Sequence, residues 1–248
     1  MNQEGNRNRI DVAIEVENTG KAEPQDARAP KEVSTFRLVA TLALAGALAG
    51  LLIVLVNEHT KPIIDKYKAE QLQLSVYEVL PGVEHYDTWY LVDGALALTL
   101  PAGAKEADYK RLYIGRDKNG AAKGVAMSRG ESGFQDVIMV IFGFDPVKGV
   151  LSGMKILDSK ETPGLGDKIF KDMAFVNQFF AGPQTPLLGV KSGAGKGQPN
   201  EIDMITGATI SSKVVIEIIN NALEEWKPVL DKGIPEAPAD PASGEAAQ

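Results

Sequence analysis

No cysteine occurs among the 248 residues. Disulfides, thiolate zinc sites, iron–sulfur ligation and thiol nucleophiles are excluded together, and the chain suits any redox compartment, oxidising ones included. Histidine is nearly as scarce, with His59 and His85 alone. A histidine metal cluster or a Ser-His-Asp triad is therefore poorly supplied. His59 falls beside a long apolar run and His85 in an expected loop, and neither is given a role. Basic residues are outnumbered, 26 against 33 acidic ones, for a net charge of −7 and a pI of about 5.0. Such a chain repels a phosphate backbone, so nucleic acid is not an expected partner. Apolar residues make up 44% and charged residues 24%, which excludes both a wholly disordered chain and a polytopic membrane protein. No internal repeat is visible.

What the chain does contain is one long uncharged stretch. Leu38 to Val56 reads LVATLALAGALAGLLIVLV, 19 residues closed by Arg37 on one side and by Asn57, Glu58, His59 and Lys61 on the other. A hydrocarbon core of about 30 Å needs roughly 20 residues at 1.5 Å each. A buried helix rarely stays apolar on every face for this length, and a signal peptide starts nearer the N-terminus. Residues 37–57 are therefore expected to form a single transmembrane helix. Lys21, Arg28, Lys31 and Arg37 precede it and Lys61, Lys66 and Lys68 follow it, a slight lean to a cytoplasmic N-terminus. Residues 1–36 are polar, without periodicity, and carry five basic and seven acidic residues. They read as a disordered tail, as does the Pro/Ala-rich acidic stretch 233–248.

Residues 58–232 are expected to form one α+β domain, a mixed, mostly antiparallel sheet with flanking helices. A helix is predicted over 58–80, stopped by Pro81-Gly82. Short strands are predicted over 95–100, 111–114 and 124–127, the last two flanking the hairpin signal Asn119-Gly120. Val137 to Phe144 suits a central strand and Val150 to Leu157 its partner. Helix is predicted over 167–180, loop over 181–200, and a final helix over 211–226 with the stripe Val214, Val215, Ile218, Ile219, Ala222, Leu223 and Trp226.

Two motifs could carry chemistry. The first is Asp203-Met-Ile-Thr-Gly-Ala-Thr209-Ile-Ser-Ser212. Thr206, Thr209, Ser211 and Ser212 offer hydroxyls where a loop becomes a helix, and Gly207 and Ala208 leave the backbone open to close approach. A helix start suits a phosphate. It equally suits an ordinary N-cap, with Thr209 or Ser211 bonding the first-turn amides, and local composition favours the cap. The second is Lys160-Glu-Thr-Pro-Gly-Leu-Gly-Asp-Lys168. Its loop can lay amides and Leu165 against a planar ligand, or simply connect strand to helix with Asp167 as cap. The Gly-rich stretch 189–198 fails as a phosphate loop, because Gly197 follows Lys196 and Val190 stands where the first glycine belongs. Gly164-Leu-Gly166 fails as a dinucleotide fingerprint, because residue 169 is Ile.

Taken together, an N-terminal membrane helix, then ETPGLGDKI at 161–169, then DMITGATISS at 203–212 resembles a known family over roughly residues 37–230. The family it resembles is that of the G subunit of the Rnf complex, an ion-translocating ferredoxin:NAD oxidoreductase. The chain is also similar to the C subunit of the sodium-pumping NADH:quinone reductase. The resemblance implies FMN joined covalently through a phosphoester to Thr209, with Asp203, Thr206, Gly207 and Ala208 as the recognition sequence of a flavin transferase. Ser211 and Ser212 complete that segment. Glu161, Thr162, Pro163, Gly164, Leu165 and Gly166 are expected to approach the flavin. It further implies an electron relay between neighbouring membrane and redox subunits, with a single pass through the cytoplasmic (inner) membrane and the FMN domain on its extracytoplasmic (periplasmic) side. No catalytic and no metal-binding residue is expected, and the chain alone is not expected to turn over a substrate. A flavin-free membrane-tethered scaffold domain is the alternative from another class.

Overall fold

The apolar run lies inside one uninterrupted helix. Helix α1 extends over Thr35–Val79 in the computed structural model, which describes residues 34–236. The two expected tails lie outside the described residues except for 34–36 and 233–236. At those margins Thr35 and Phe36 already belong to α1, Ile234 packs against the core, and the Pro235 carbonyl accepts from Arg116 Nη2 at 3.0 Å. The helix does not stop at Asn57 but runs on through Pro62. Among the described residues it is the one helix long and apolar enough to cross a membrane. Every side chain from Leu38 to Val56 is exposed, which suits a lipid-facing helix and not a core helix. The described residues fall into two units, those up to His59 and those from Thr60.

The second unit is built on six antiparallel strands. They are β1 (His85–Val92), β2 (Ala95–Ala97), β3 (Arg111–Arg116), β4 (Ala122–Ser132), β5 (Val137–Asp145) and β6 (Val150–Asp158), in the spatial order β2-β1-β3-β4-β5-β6. From β3 onward each strand pairs with its successor, so short turns suffice. At the Asn119-Gly120 turn the Asp117 carboxylate accepts from the amides of Asn119 (2.8 Å) and Ala121 (3.0 Å), a side-chain mimic of a backbone turn. β5 is paired on both sides, by β4 and β6. Residue 85 opens β1 instead of lying in a loop. Inside the stretch 181–200, expected as loop, lies β7 (Leu188–Lys191), and it forms a separate parallel pair with β8 (Glu201–Met204) just after that stretch.

Three helices follow the sheet: α2 (Lys168–Lys171), α3 (Met173–Phe180) and α4 (Thr209–Leu230). The single helix expected over 167–180 is broken at Asp172, whose side chain accepts from the Ala174 amide at 3.0 Å and caps α3. Alternation along the strands sorts the core into two layers. Leu112, Ile114, Val125, Met127, Val140 and Phe142 face one way and meet Val215, Ile218, Ile219, Ala222 and Trp226 of α4. Tyr113, Ala126 and Ile141 face the other way and meet Val76, Val79 and Leu80 at the end of α1. Between β1 and β3 lies a buried ion pair. Arg116 and Asp87 are 1% and 6% exposed and joined through Arg116 Nε. Arg116 Nη1 also donates to the Gly120 carbonyl at 3.2 Å.

Candidate functional site

Three segments distant in sequence meet beside the start of α4. They are the β4–β5 turn at 133–136, the loop after β6 at 159–167, and the passage from β8 into α4 at 205–212. Glu161 joins them. It is 6% exposed, with one carboxylate oxygen accepting from the Gln135 amide at 3.0 Å and the other from the Ser211 hydroxyl at 2.6 Å. Burial pushes the Glu161 carboxyl up, but the Gln135 amide, the Ser211 hydroxyl and the amides of Asp136 and Phe134 outweigh it and hold the group below the usual carboxylate range. It is therefore an anion at neutral pH.

Two glycines make this approach possible. A Cβ on Gly133 would stand 2.4 Å from Glu161 Oε1, and one on Gly166 would stand 2.5 Å from Oε2. Gly166→Ala is expected to drive the carboxylate off Ser211 and to cost about 1–3 kcal/mol, the usual penalty of overpacking. The check is the urea unfolding midpoint of the variant; an unchanged midpoint would mean that the carboxylate is not clamped.

The 161–166 loop is shaped from behind by Asp167. This residue stands at the N-cap position of α2 without capping it. Its side chain turns back to accept from the Gly164 amide at 2.7 Å and from Lys171 Nζ at 2.6 Å. The Lys171 bond, followed by the Gly164 amide, holds the Asp167 carboxyl below its ordinary value in spite of desolvation.

The start of α4 also differs from an ordinary cap. Ala208 occupies the N-cap position, and among the described residues no side chain caps the first-turn amides. Ser211 is committed to Glu161, and Ser212 donates to the Ala208 carbonyl at 2.9 Å while accepting from the Ile205 amide at 3.2 Å. Gly207, at φ +85°, turns the chain into the helix. Thr209 is left exposed at its first position. Open amides at the positive end of a 22-residue helix suit an anion at this point.

Thr209 stands on a cavity of about 320 Å³, lined by Phe134, Glu161, Thr162, Leu165, Gly166 and residues 207–211. That volume is at the lower end of the roughly 300–1,000 Å³ typical of ligand pockets. Phe134, Leu165 and Ile210 are 68%, 52% and 55% exposed, three apolar side chains left open on its rim. The arrangement fits FMN in its chemistry, with an anion position at the helix start and an apolar rim for a planar ring system.

The remaining expected residues are placed as follows. Pro163 and Gly164 are exposed at the loop tip, and Ser212 is fully buried below the cavity. Asp203 and Thr206 line a second cavity with Lys168, Lys171, Phe175 and Gln178. There the Asp203 amide donates to Gln178 Oε1 at 2.7 Å, and its carbonyl accepts from Gln178 Nε2 at 3.1 Å. Phe134, Gln135 and Ile210 are participants that sequence reasoning missed. The signal for Phe134 was an aromatic residue directly after Gly133 in a turn between strands.

The FMN-binding domain family matches residues 133–224, an interval that contains all three segments of the cavity. The crystal structure of NqrC from Shewanella oneidensis superposes with a TM-score of 0.55, covering 67% of this chain and 95% of that one at 17% identity, a likeness of fold. Fold and site thus define an FMN-binding domain carried behind one long apolar helix. Closer in sequence are two G subunits, one from the Na+-translocating ferredoxin:NAD+ oxidoreductase complex of Acetobacterium woodii and one from the ion-translocating oxidoreductase complex of Cronobacter sakazakii. The first is 29% identical over 193 residues, 77% of this chain and 91% of that protein. The second is 30% identical over 187 residues, 73% and 85%. The chain belongs to the family of G subunits of ion-translocating oxidoreductase complexes.

Proposed function

We propose that this chain is a membrane-anchored electron carrier of an Rnf-type ferredoxin:NAD oxidoreductase complex, with FMN esterified through its phosphate to Thr209. One observation carries the reading: an exposed threonine hydroxyl stands at the uncapped start of α4, on the rim of a cavity that also takes in the 161–166 loop. When bound, the flavin supplies reversible electron transfer. The protein's own residues hold and shield it. The first-turn amides of α4 and the helix dipole stabilise the phosphoester. Phe134, Leu165 and Ile210 offer apolar surface to the ring system, and Thr162 and Gly166 complete the lining. A covalent link prevents loss of the cofactor from a domain facing an open compartment, here taken as the extracytoplasmic side, with α1 crossing the inner membrane. Electrons would pass between neighbouring redox subunits, and the chain alone would turn over no substrate.

Attachment requires a flavin transferase. Asp203 and Thr206, exposed on the second cavity beside Lys168 and Lys171, are assigned to its recognition. Asp203→Ala is expected to lower flavin incorporation severalfold with little loss of stability, because Gln178 bonds the Asp203 backbone, which the substitution keeps. Incorporation equal to wild type would remove the assignment. The experiment for the function as a whole is ultraviolet in-gel fluorescence after denaturing electrophoresis of the chain co-expressed with a flavin transferase. A fluorescent band supports it. A dark band, with the transferase active on a control substrate, favours the flavin-free scaffold.

A further inference from the structure

Of the ten residues lining the cavity at Thr209, Glu161 alone ionises. Its charge is fixed in place. Gln135 and Ser211 each hold one oxygen, and Gly133 and Gly166, where a Cβ would stand 2.4 and 2.5 Å from those oxygens, let both loops close against it. The nearby cations are engaged elsewhere, Lys160 with Asp136 at 3.1 Å and Lys171 with Asp167 at 2.6 Å. Among the described residues Glu161 thus forms no ion pair. Its charge is balanced by amides and one hydroxyl, which are dipoles. A buried charge without a counter-ion acts over several ångströms, because the interior screens it weakly.

We propose that Glu161 is a potential-setting residue, holding one negative charge without a counter-ion in the wall of the flavin cavity and so lowering the reduction potential of the flavin held there. The inference rests on FMN being attached at Thr209. Reduction adds negative charge to a ligand inside the cavity, and a like charge fixed in the wall opposes it. Hydrogen bonding alone would not give this effect, since a neutral acceptor of the same shape could hold Gln135 and Ser211 equally well.

Glu161→Gln separates charge from shape. The amide oxygen keeps the Gln135 bond and the amide nitrogen donates to Ser211 in place of the reverse, so the clamp survives. In redox titrations of the flavinylated full-length chain, with dithionite as electron donor, the variant's reduced-to-oxidised ratio at a given poise is expected to rise at least tenfold. For a one-electron couple that is a midpoint about 59 mV more positive. A purely structural role would lower stability or flavin loading and leave the midpoint in place. Equal midpoints in loaded wild type and loaded variant overturn the inference alone. If the wild type takes up no FMN, the attachment at Thr209 falls and this inference with it. Should the variant fail to fold or load, the wild type still decides. In chain labelled with carboxyl-¹³C glutamate, the redox-difference infrared spectrum is expected to contain a carboxylate band that moves with the label. A spectrum without such a band overturns the proposal.

Discussion

Thr209→Val is expected to abolish the covalent flavin and leave the fold in place. In-gel fluorescence should vanish, and the mass of FMN less water should be missing from the peptide spanning residue 209. The unfolding midpoint should move by no more than a surface substitution usually causes, about 0.5 kcal/mol. The asymmetry follows from where the residue sits. Thr209 is exposed and makes no capping bond at the start of α4, so removing its hydroxyl breaks nothing inside the protein. Two neighbours could in principle inherit the linkage, and both are worse placed. Ser211 is 2% exposed with its hydroxyl given to Glu161. Thr206 is exposed but lines the other cavity, with Lys168 and Lys171. Persistent covalent FMN in Thr209→Val would move the attachment to one of these two and would contradict the present site.

Asp87→Ala is expected to have the largest effect on stability. Among the described residues it leaves the buried Arg116 guanidinium with two carbonyl acceptors, those of Gly120 and Pro235. Removing one partner of a buried ion pair costs about 3–5 kcal/mol, a large share of the roughly 5–15 kcal/mol that holds a domain together. The pair joins β1 to β3, and Arg116 also holds the segment after α4, so the loss should be felt as one cooperative transition at a lower urea midpoint. Replacing both partners, Asp87→Leu with Arg116→Met, should recover most of the loss, because no charge is then left uncompensated. A single Asp87→Ala cost below about 1 kcal/mol would show that water reaches the guanidinium.

The sequence was most legible where one physical signal dominated. The uncharged run 38–56, the Asn119-Gly120 turn, the β-branched strand at 137–144 and the apolar stripe of the last helix each answer to periodicity or to a single turn residue. Strand β1 was not legible. His85–Val92 mixes half-buried polar and aromatic positions, and its key polar residue, Asp87, is buried only because Arg116 arrives from another strand. The β7–β8 pair was hidden in Gly- and Pro-rich sequence, since four-residue parallel strands leave no periodic trace. Asp172 splits the helix expected over 167–180 because a side-chain cap competes with helix continuation. At the site, the resemblance brought the 161–166 and 203–212 motifs together, and nine of their residues line one cavity. That Asp203 and Thr206 face away from it, and that Phe134 and Ile210 face into it, depends on packing that no motif encodes. The N-cap expected from Thr209 or Ser211 is replaced by Ala208 because Glu161, far away in the chain, takes the Ser211 hydroxyl.

The same carboxylate bears on the order in which the protein is made. Glu161 reaches back 26 residues to Gln135 and forward 50 to Ser211. Contacts of such separation come late in folding, since closing each loop costs entropy before the contact is formed. The meander of hairpins can assemble as it leaves the ribosome, but the wall around Thr209 is finished only when α4 docks on β4 and β5. A peptide carrying DMITGATISS alone would present the hydroxyl with no cavity beside it. On the proposed site, a flavin seated in that cavity would certify a chain that has been synthesised and folded through α4, and the cofactor would double as a stamp of an assembled domain.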